Sequence, residues 1–445
     1  MIGFVKRLLG EGKPVLLSPA PLVQDEPPSN SPNAPVVATA LAEPVVLVRD
    51  EIIDTKTRIA GHRFSVHHSD PYRQLEPGSI LEALEKNQVA TFAERRLALI
   101  SLQPNDWGTH NYKAIIGPHT VFCLALGERS QEKAGLNDMA AAIHGAGANI
   151  AISGNDMARH REFMLEHADF LLLDFSAYSL ASFEQVLKNL RREKPQLRLI
   201  VENVNRWPEH RYCLSNDVSY CIGPFTTEHD EEQQAKEISQ SRLVLIEMLN
   251  QLRKEADLVD IAQIAKRDPG VIVKIVAMAN SPMLGLSQHV TSIDQAIMVL
   301  GREQLYRWLS IGIFRTGSSS PRDEVLLELA LARGRFLEIL GQENHSKLEC
   351  DELFLLGLLS LLDALLGLPM ISVVDKIHLS PALKEVLLDS GGPLGRYLML
   401  AIAVEKGHIG KVARLAEQLG YQTASIESAS IEAIRWAENA AKLSA

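Results

Sequence analysis

Cysteine is scarce in this chain. The four present, Cys123, Cys213, Cys221 and Cys350, form no C-x-x-C pair. That excludes zinc fingers and thioredoxin-like redox centres and points to buried thiols in a reducing cytosol. Basic clusters are missing too. No run of Lys or Arg exceeds Arg95-Arg96 or Arg191-Arg192, and the formal net charge is -10. A surface that tracks phosphates needs concentrated positive charge, so no nucleic-acid partner is expected. No apolar stretch reaches the ~18 residues of a membrane-crossing helix, so no transmembrane segment is expected. The longest, LFLLGLLSLLDALLGLPM at 353–370, is interrupted by Asp363 and Pro369 and reads as a buried helix. The first residues lack the apolar core of a signal peptide, and a cytoplasmic location is expected. Histidines are not spaced as metal ligands. His160 and His167 share a helical face, but seven residues is ~10.5 Å of rise, too far to share an ion. Both are expected on the exposed surface. His67-His68 reads as part of a loop with no third ligand. No cofactor is expected.

What remains is ordinary globular material. Hydrophobic residues make up 46% and charged residues 22% of 445 residues, which suits two or three domains. Residues 1–11, MIGFVKRLLGE, fit a short basic amphipathic helix with Ile2, Val5, Leu8 and Leu9 opposite Lys6 and Arg7. Residues 14–44 hold eight prolines among 31 residues and read as an extended linker. Residues 1–44 are therefore expected to be a tether. From 45 to 226, short apolar runs alternate with helical patterns. The runs are VVLVRDEI (45–52), RLALISL (96–102), TVFCLAL (120–126), NIAIS (149–153), DFLLLDF (169–175) and LRLIVENV (197–204). Continuous apolar strands are covered on both faces, and alternation with helices implies a parallel sheet. Periodicity alone leaves open whether that sheet is a barrel or an open doubly wound sheet. The acidic stretch TEHDEEQQAKE (227–237) is expected to begin a helix. From there to 445 apolar residues recur at helical spacing, which predicts an all-helical bundle.

Three motifs in the second half carry a resemblance. RDPG (267–270), ANSPMLGL (279–286) and VTSIDQAIMVLG (290–301) stand in the order and spacing of the HDOD domain, an all-helical signalling module. The motif residues singled out are Asp268, Pro269, Asn280, Ser281, Pro282, Gly285 and Gly301. Pro269 suits a helix start, and Thr291 and Ser292 are N-cap candidates. Tyr306, Trp308 and Phe314 follow at helical spacing and are expected in the core. HDOD domains resemble metal-dependent hydrolases that need an adjacent His-Asp pair. Ser360-Leu361 stand where that pair would be, so the resemblance implies no metal there.

An HDOD domain can follow an EAL domain, and residues 45–226 resemble one. The resemblance selects a (β/α)8-type barrel and implies cyclic di-GMP phosphodiester chemistry on bound metals. IIDTKTRIAGHRFSV (52–66) looks like the opening hairpin and first motif, yet 55–75 contains no Glu and Arg63 stands near its place. The expected ligand positions hold Ser101, Leu124 and Ser153-Gly154. Leu172 replaces a Lys, Asn205 a second Glu, and Ile222-Gly223 a Gln-Gly turn. Asp174 and Glu202 are the surviving EAL-motif positions. The expectation is a degenerate EAL-like barrel joined to an HDOD bundle, neither catalytic, acting on protein partners in a signalling pathway. The alternatives are a cyclic di-GMP phosphodiesterase and a non-hydrolysing cyclic di-GMP sensor.

Overall fold

Two ten-residue strands, β1 (Val45–Asp54) and β2 (Ile59–His68), pair as an antiparallel hairpin. Asp54 fixes the turn: its carboxylate accepts the backbone N–H groups of Lys56 and Arg58, each at 2.9 Å. Aspartate suits reversals because its short side chain reaches the next backbone donors. Six strands follow: β3 (Leu97–Leu102), β4 (Thr120–Leu124), β5 (Asn149–Ser153), β6 (Phe170–Asp174), β7 (Arg198–Glu202) and β8 (Tyr220–Ile222). Strands β2 to β8 run parallel, each beside the next, and β1 closes the barrel antiparallel against β8. The barrel is the expected one, with two strands more than the six apolar runs suggest. In β2 the run is broken by Gly61, His62 and Arg63, and β8 is only three residues long. His67 and His68 belong to β2, which corrects their placement in a loop.

The computed structural model describes residues 45–68, 75–127, 133–228, 230, 239–280, 289–316, 320–377 and 379–443. The expectations for residues 1–44, for Ser281, Pro282 and Gly285, and for most of the acidic stretch lie outside the described residues.

Alternation gives the barrel two apolar layers. Leu97, Leu99, Val121, Phe170 and Ile200 fill its interior. Phe122, Ile150 and Leu171 point outward to the helices that cover it. These are α1 (Pro77–Lys86), α2 (Lys133–Gly145), α3 (Arg161–His167), α4 (Leu180–Glu193) and α5 (Trp207–Ser215). In α4 the hydroxyl of Ser179 accepts the N–H of Ser182, and Phe183, Leu187 and Leu190 recur on the buried face. Each such side chain contributes about 1.5–3 kcal/mol on burial.

The second half is helical, as expected. Its principal helices are α6 (Gln240–Arg253), α7 (Leu258–Ala265), α8 (Pro269–Ala279), α9 (Ile293–Arg315), α10 (Pro321–Gly341), α11 (Lys347–Leu359), α12 (Gly392–Glu405) and α13 (Thr423–Leu443). Phe314 is buried in their core, with Tyr306 and Trp308 packed against it. The single buried helix expected over 353–370 is divided: α11 ends at Leu359, Ser360 caps it, and a short helix, Leu362–Leu366, follows. Among the described residues no single helix is long and apolar enough to cross a membrane.

The two halves share a seam along β1, β2 and α1. Val325 of α10 belongs to the barrel's outer core, with Leu329 and Ile434 packed against it. Arg96 is bidentate to Glu328 at 2.7 and 3.1 Å and reaches Glu438 at 3.1 Å. Asn87 donates to Glu427 at 2.9 Å, and Arg435 donates to the Asn87 carbonyl at 3.2 Å. Arg49 and His62 are buried there, and the Arg49 guanidinium lies 5.3 Å from the Phe92 ring centre.

Candidate functional site

Parallel strands deliver their C-terminal ends to one mouth of the barrel, where loops can present side chains. Alternation decides which side chains enter. On β4, Leu124 points outward into the helical layer, whereas Cys123 packs toward the interior. This corrects the assignment of Leu124 to a ligand position: Cys123 occupies the inward site, level with Ser101 of β3. Burial, then the Glu202 carboxylate, pushes the Cys123 thiol up to about 12, with Arg63 acting against them. A thiol so raised is a poor nucleophile and a poor metal ligand.

A guanidinium occupies the mouth. Arg63 of β2 donates through Nε to Asp50 of β1 at 2.9 Å, and its Nη1 lies 2.6 Å from Glu202 of β7. All three side chains are part-exposed. Asp50 is a site residue that sequence reasoning missed. It lies inside the run VVLVRDEI, and only its pairing opposite Arg63 turns it inward. Asp174 ends β6 beside Glu202. It accepts from the Ser176 backbone N–H at 2.9 Å and the Ser176 hydroxyl at 2.7 Å. The Asn203 side chain, then Ser176, holds its carboxyl below the usual range. Asp174 and Glu202 are therefore neighbours, as the motif expectation requires, but each carboxylate already has partners.

Other mouth residues serve the loops. Ser153 caps the turn after β5 by accepting the Asn155 N–H at 3.3 Å, and Asp156 accepts from the Leu126 N–H at 3.3 Å. At Gly223, φ is +155° and a side chain would stand 1.9 Å from the Val204 carbonyl oxygen, so only glycine lets the loop after β8 pass. Among the described residues no three His, Cys, Asp or Glu side chains group so as to hold a metal ion. Arg63 already neutralises two of the carboxylates, so these residues do not fit a two-metal centre.

His167 Nε2 donates to the Asn137 side-chain oxygen at 3.2 Å and its ring centre lies 4.9 Å from that of Phe163, which corrects its expected exposure. His160 also has a buried ring nitrogen, Nε2. His345 bonds Tyr397 at 2.8 Å.

In the helical half the motif residues hold backbone. Asp268 caps α8 by accepting the N–H groups of Gly270 at 2.7 Å and Val271 at 3.1 Å, with Pro269 at N1. Ser241 donates to its other oxygen. Asn280 donates to the carbonyls of Val276 at 3.0 Å and Val290 at 2.6 Å, and accepts from the Val290 N–H at 2.7 Å. Ser292 caps α9. Ser360, where a His-Asp pair would begin, accepts from Arg333 at 2.7 Å.

The chain is 23% identical over 283 residues to the cyclic di-GMP phosphodiesterase CdgJ of Vibrio cholerae, covering 63% of this chain and 65% of that protein. It thus spans less than two thirds of that relative's length. It is 25% identical over 283 residues to the uncharacterized protein YuxH of Bacillus subtilis, covering 62% and 67%. An EAL domain protein of Listeria monocytogenes aligns in structure at 12% identity, TM-score 0.34, over 40% of this chain and 86% of that one. The expectation that this chain is not an enzyme is corrected by the first of these, a relative named as a phosphodiesterase. Residues 239–373 match the HDOD domain family, and with the capped motif helices described above they form the HDOD domain of this chain.

Proposed function

We propose that this protein works in cyclic di-GMP signalling and engages the nucleotide at the barrel mouth. The carrying observation is Arg63, fixed between Asp50 and Glu202 where the strand ends converge. Guanine presents acceptors at O6 and N7 and donors at N1 and N2. A guanidinium and carboxylates side by side offer the complementary set. On this reading the chain divides into a tether at 1–44, an EAL-like barrel at 45–226 and an HDOD helical domain at 227–445. The helical domain carries the state of the mouth to a protein partner. Val259, Val273 and Met298, exposed by 62%, 67% and 63% on three of its helices, support a partner contact.

A second reading, hydrolysis of the nucleotide, is favoured by the named activity of the Vibrio relative. One experiment tests both. Purified full chain is titrated with cyclic di-GMP by calorimetry, and the same mixtures are analysed for the linear dinucleotide. Saturable heat that Arg63→Ala weakens by about tenfold or more supports recognition at the mouth. Product that disappears in Glu202→Gln makes the mouth catalytic. The absence of both heat and product overturns the proposal.

A further inference from the structure

A large cavity lies away from the mouth. It is a cleft of about 1140 Å³ at the opposite end of the barrel, where the β1–β2 turn faces the helical half. That volume is slightly above the usual range of small-molecule sites, about 300–1,000 Å³. Its walls come from both halves. Helix α8 offers Val271, Ile275 and Met278 on one face, α9 offers Trp308 and Leu309, and α13 offers Trp436. These are aliphatic and indole surfaces suited to an apolar or aromatic body.

The charges of the cleft are unequal in a telling way. Most of its carboxylates are taken: Asp54 by Arg58, Asp323 by Arg242, and Glu328 and Glu438 by Arg96. Lys274, Arg315 and Arg95 also line it, and none is ion-paired with a described carboxylate. Glu324 is the one lining carboxylate outside those pairs, and it attracts Arg315 from a distance. Lys274 and Arg315 stand close together. The Lys274 ammonium donates to the Arg315 carbonyl at 3.2 Å and to the Thr316 hydroxyl at 3.4 Å. The Arg315 guanidinium donates to the Ala441 carbonyl, while its Nε is buried without a hydrogen-bond partner. A buried donor left unmade is costly, and a pair of like charges raises that cost. Desolvation, then Arg315, pulls the Lys274 ammonium below its ordinary range. An anion set between the two would relieve both.

We propose that this cleft is a second binding site, for an amphiphilic organic anion: an apolar or aromatic body bearing one phosphate, sulfate or carboxylate group, held by Lys274 and Arg315. The body packs on Trp308, Met278 and Trp436. The site is independent of the barrel mouth, and it joins the helix that carries the RDPG motif to the barrel floor. A ligand seated there touches both halves at once.

The probe is anilinonaphthalene sulfonate, an aromatic anion, compared with phenylnaphthylamine, which has the same rings without the charge. Full chain is titrated with each while tryptophan quenching and probe emission are read. The expected result is saturable binding, with the sulfonate about tenfold tighter than the neutral probe. Trp308→Phe reduces the quenching. Lys274→Glu weakens the sulfonate by about tenfold or more and leaves the neutral probe unchanged, whereas Lys274→Arg retains binding. Lys274 is solvent-exposed, so its replacement leaves the core intact. Equal affinity for the two probes, or a Lys274→Glu variant that binds the sulfonate as the parent does, overturns the proposal.

Discussion

At the scale of single residues, Asp268 shows how a signalling motif is also a piece of backbone chemistry. Its carboxylate takes the first free N–H groups of α8, and Pro269 supplies none to be satisfied. Asp268→Ala is expected to cost about 1 kcal/mol, read as a lower midpoint in urea unfolding. The effect should shrink below the carboxyl's titration range, which the Ser241 hydroxyl and the helix N–H groups hold low. The helix start at Pro269 was legible because its signals are local in sequence. The inward place of Cys123 was not. A continuous apolar run covered on both faces carries no alternation, so the phase that puts Cys123 inside and Leu124 outside is set by pairing with β3 and β5.

Among elements, the long helix α9 contains the clearest departure from regularity. Gly301, last residue of the motif VTSIDQAIMVLG, has φ +68° and ψ 174°, and the helix kinks there. Nothing lies within 4 Å of a side chain placed on it, so sterics with neighbours are not the reason for glycine. The backbone angles are. Gly301→Ala is expected to cost about 1–3 kcal/mol, and the same change at exposed Gly410 much less; thermal unfolding compares them. Helices announced themselves by period and caps. Strands β2 and β8 did not: one mixes a Gly, two His and an Arg into its run, and the other is too short to show a period.

For the whole molecule, the seam between the halves dominates. It buries Arg49, whose guanidinium is pulled down to about 10 by desolvation and then by Arg435. Glu51 is the opposite case. Burial pushes it up from about 4.5 to about 8, and Glu405, Asp50 and Glu328 add to the shift. The folded chain therefore holds a proton on Glu51 where the unfolded chain has lost it. The stability tied to that proton is complete below about pH 4.5 and is lost as pH rises through about 8. Melting temperatures measured across this window should fall less steeply in Glu51→Gln than in the parent. A parallel slope in the two would show that Glu51 does not titrate in the seam. The barrel and the bundle could each be read in the sequence. Their union could not, because Arg96–Glu328 and Asn87–Glu427 join residues hundreds of positions apart.

Closure by β1 has a consequence for synthesis. Ile52 pairs with Ile222, so a nascent chain cannot complete the barrel until its eighth strand has left the ribosome. Strand β1, with Arg49, then waits for α12 and α13 to pack on it. Until β8 arrives the hairpin offers an open strand edge, and until the helices arrive a partly charged, partly aromatic flank, to whatever is nearby. The protein is thus most vulnerable to mispairing while its first described strand waits for its last.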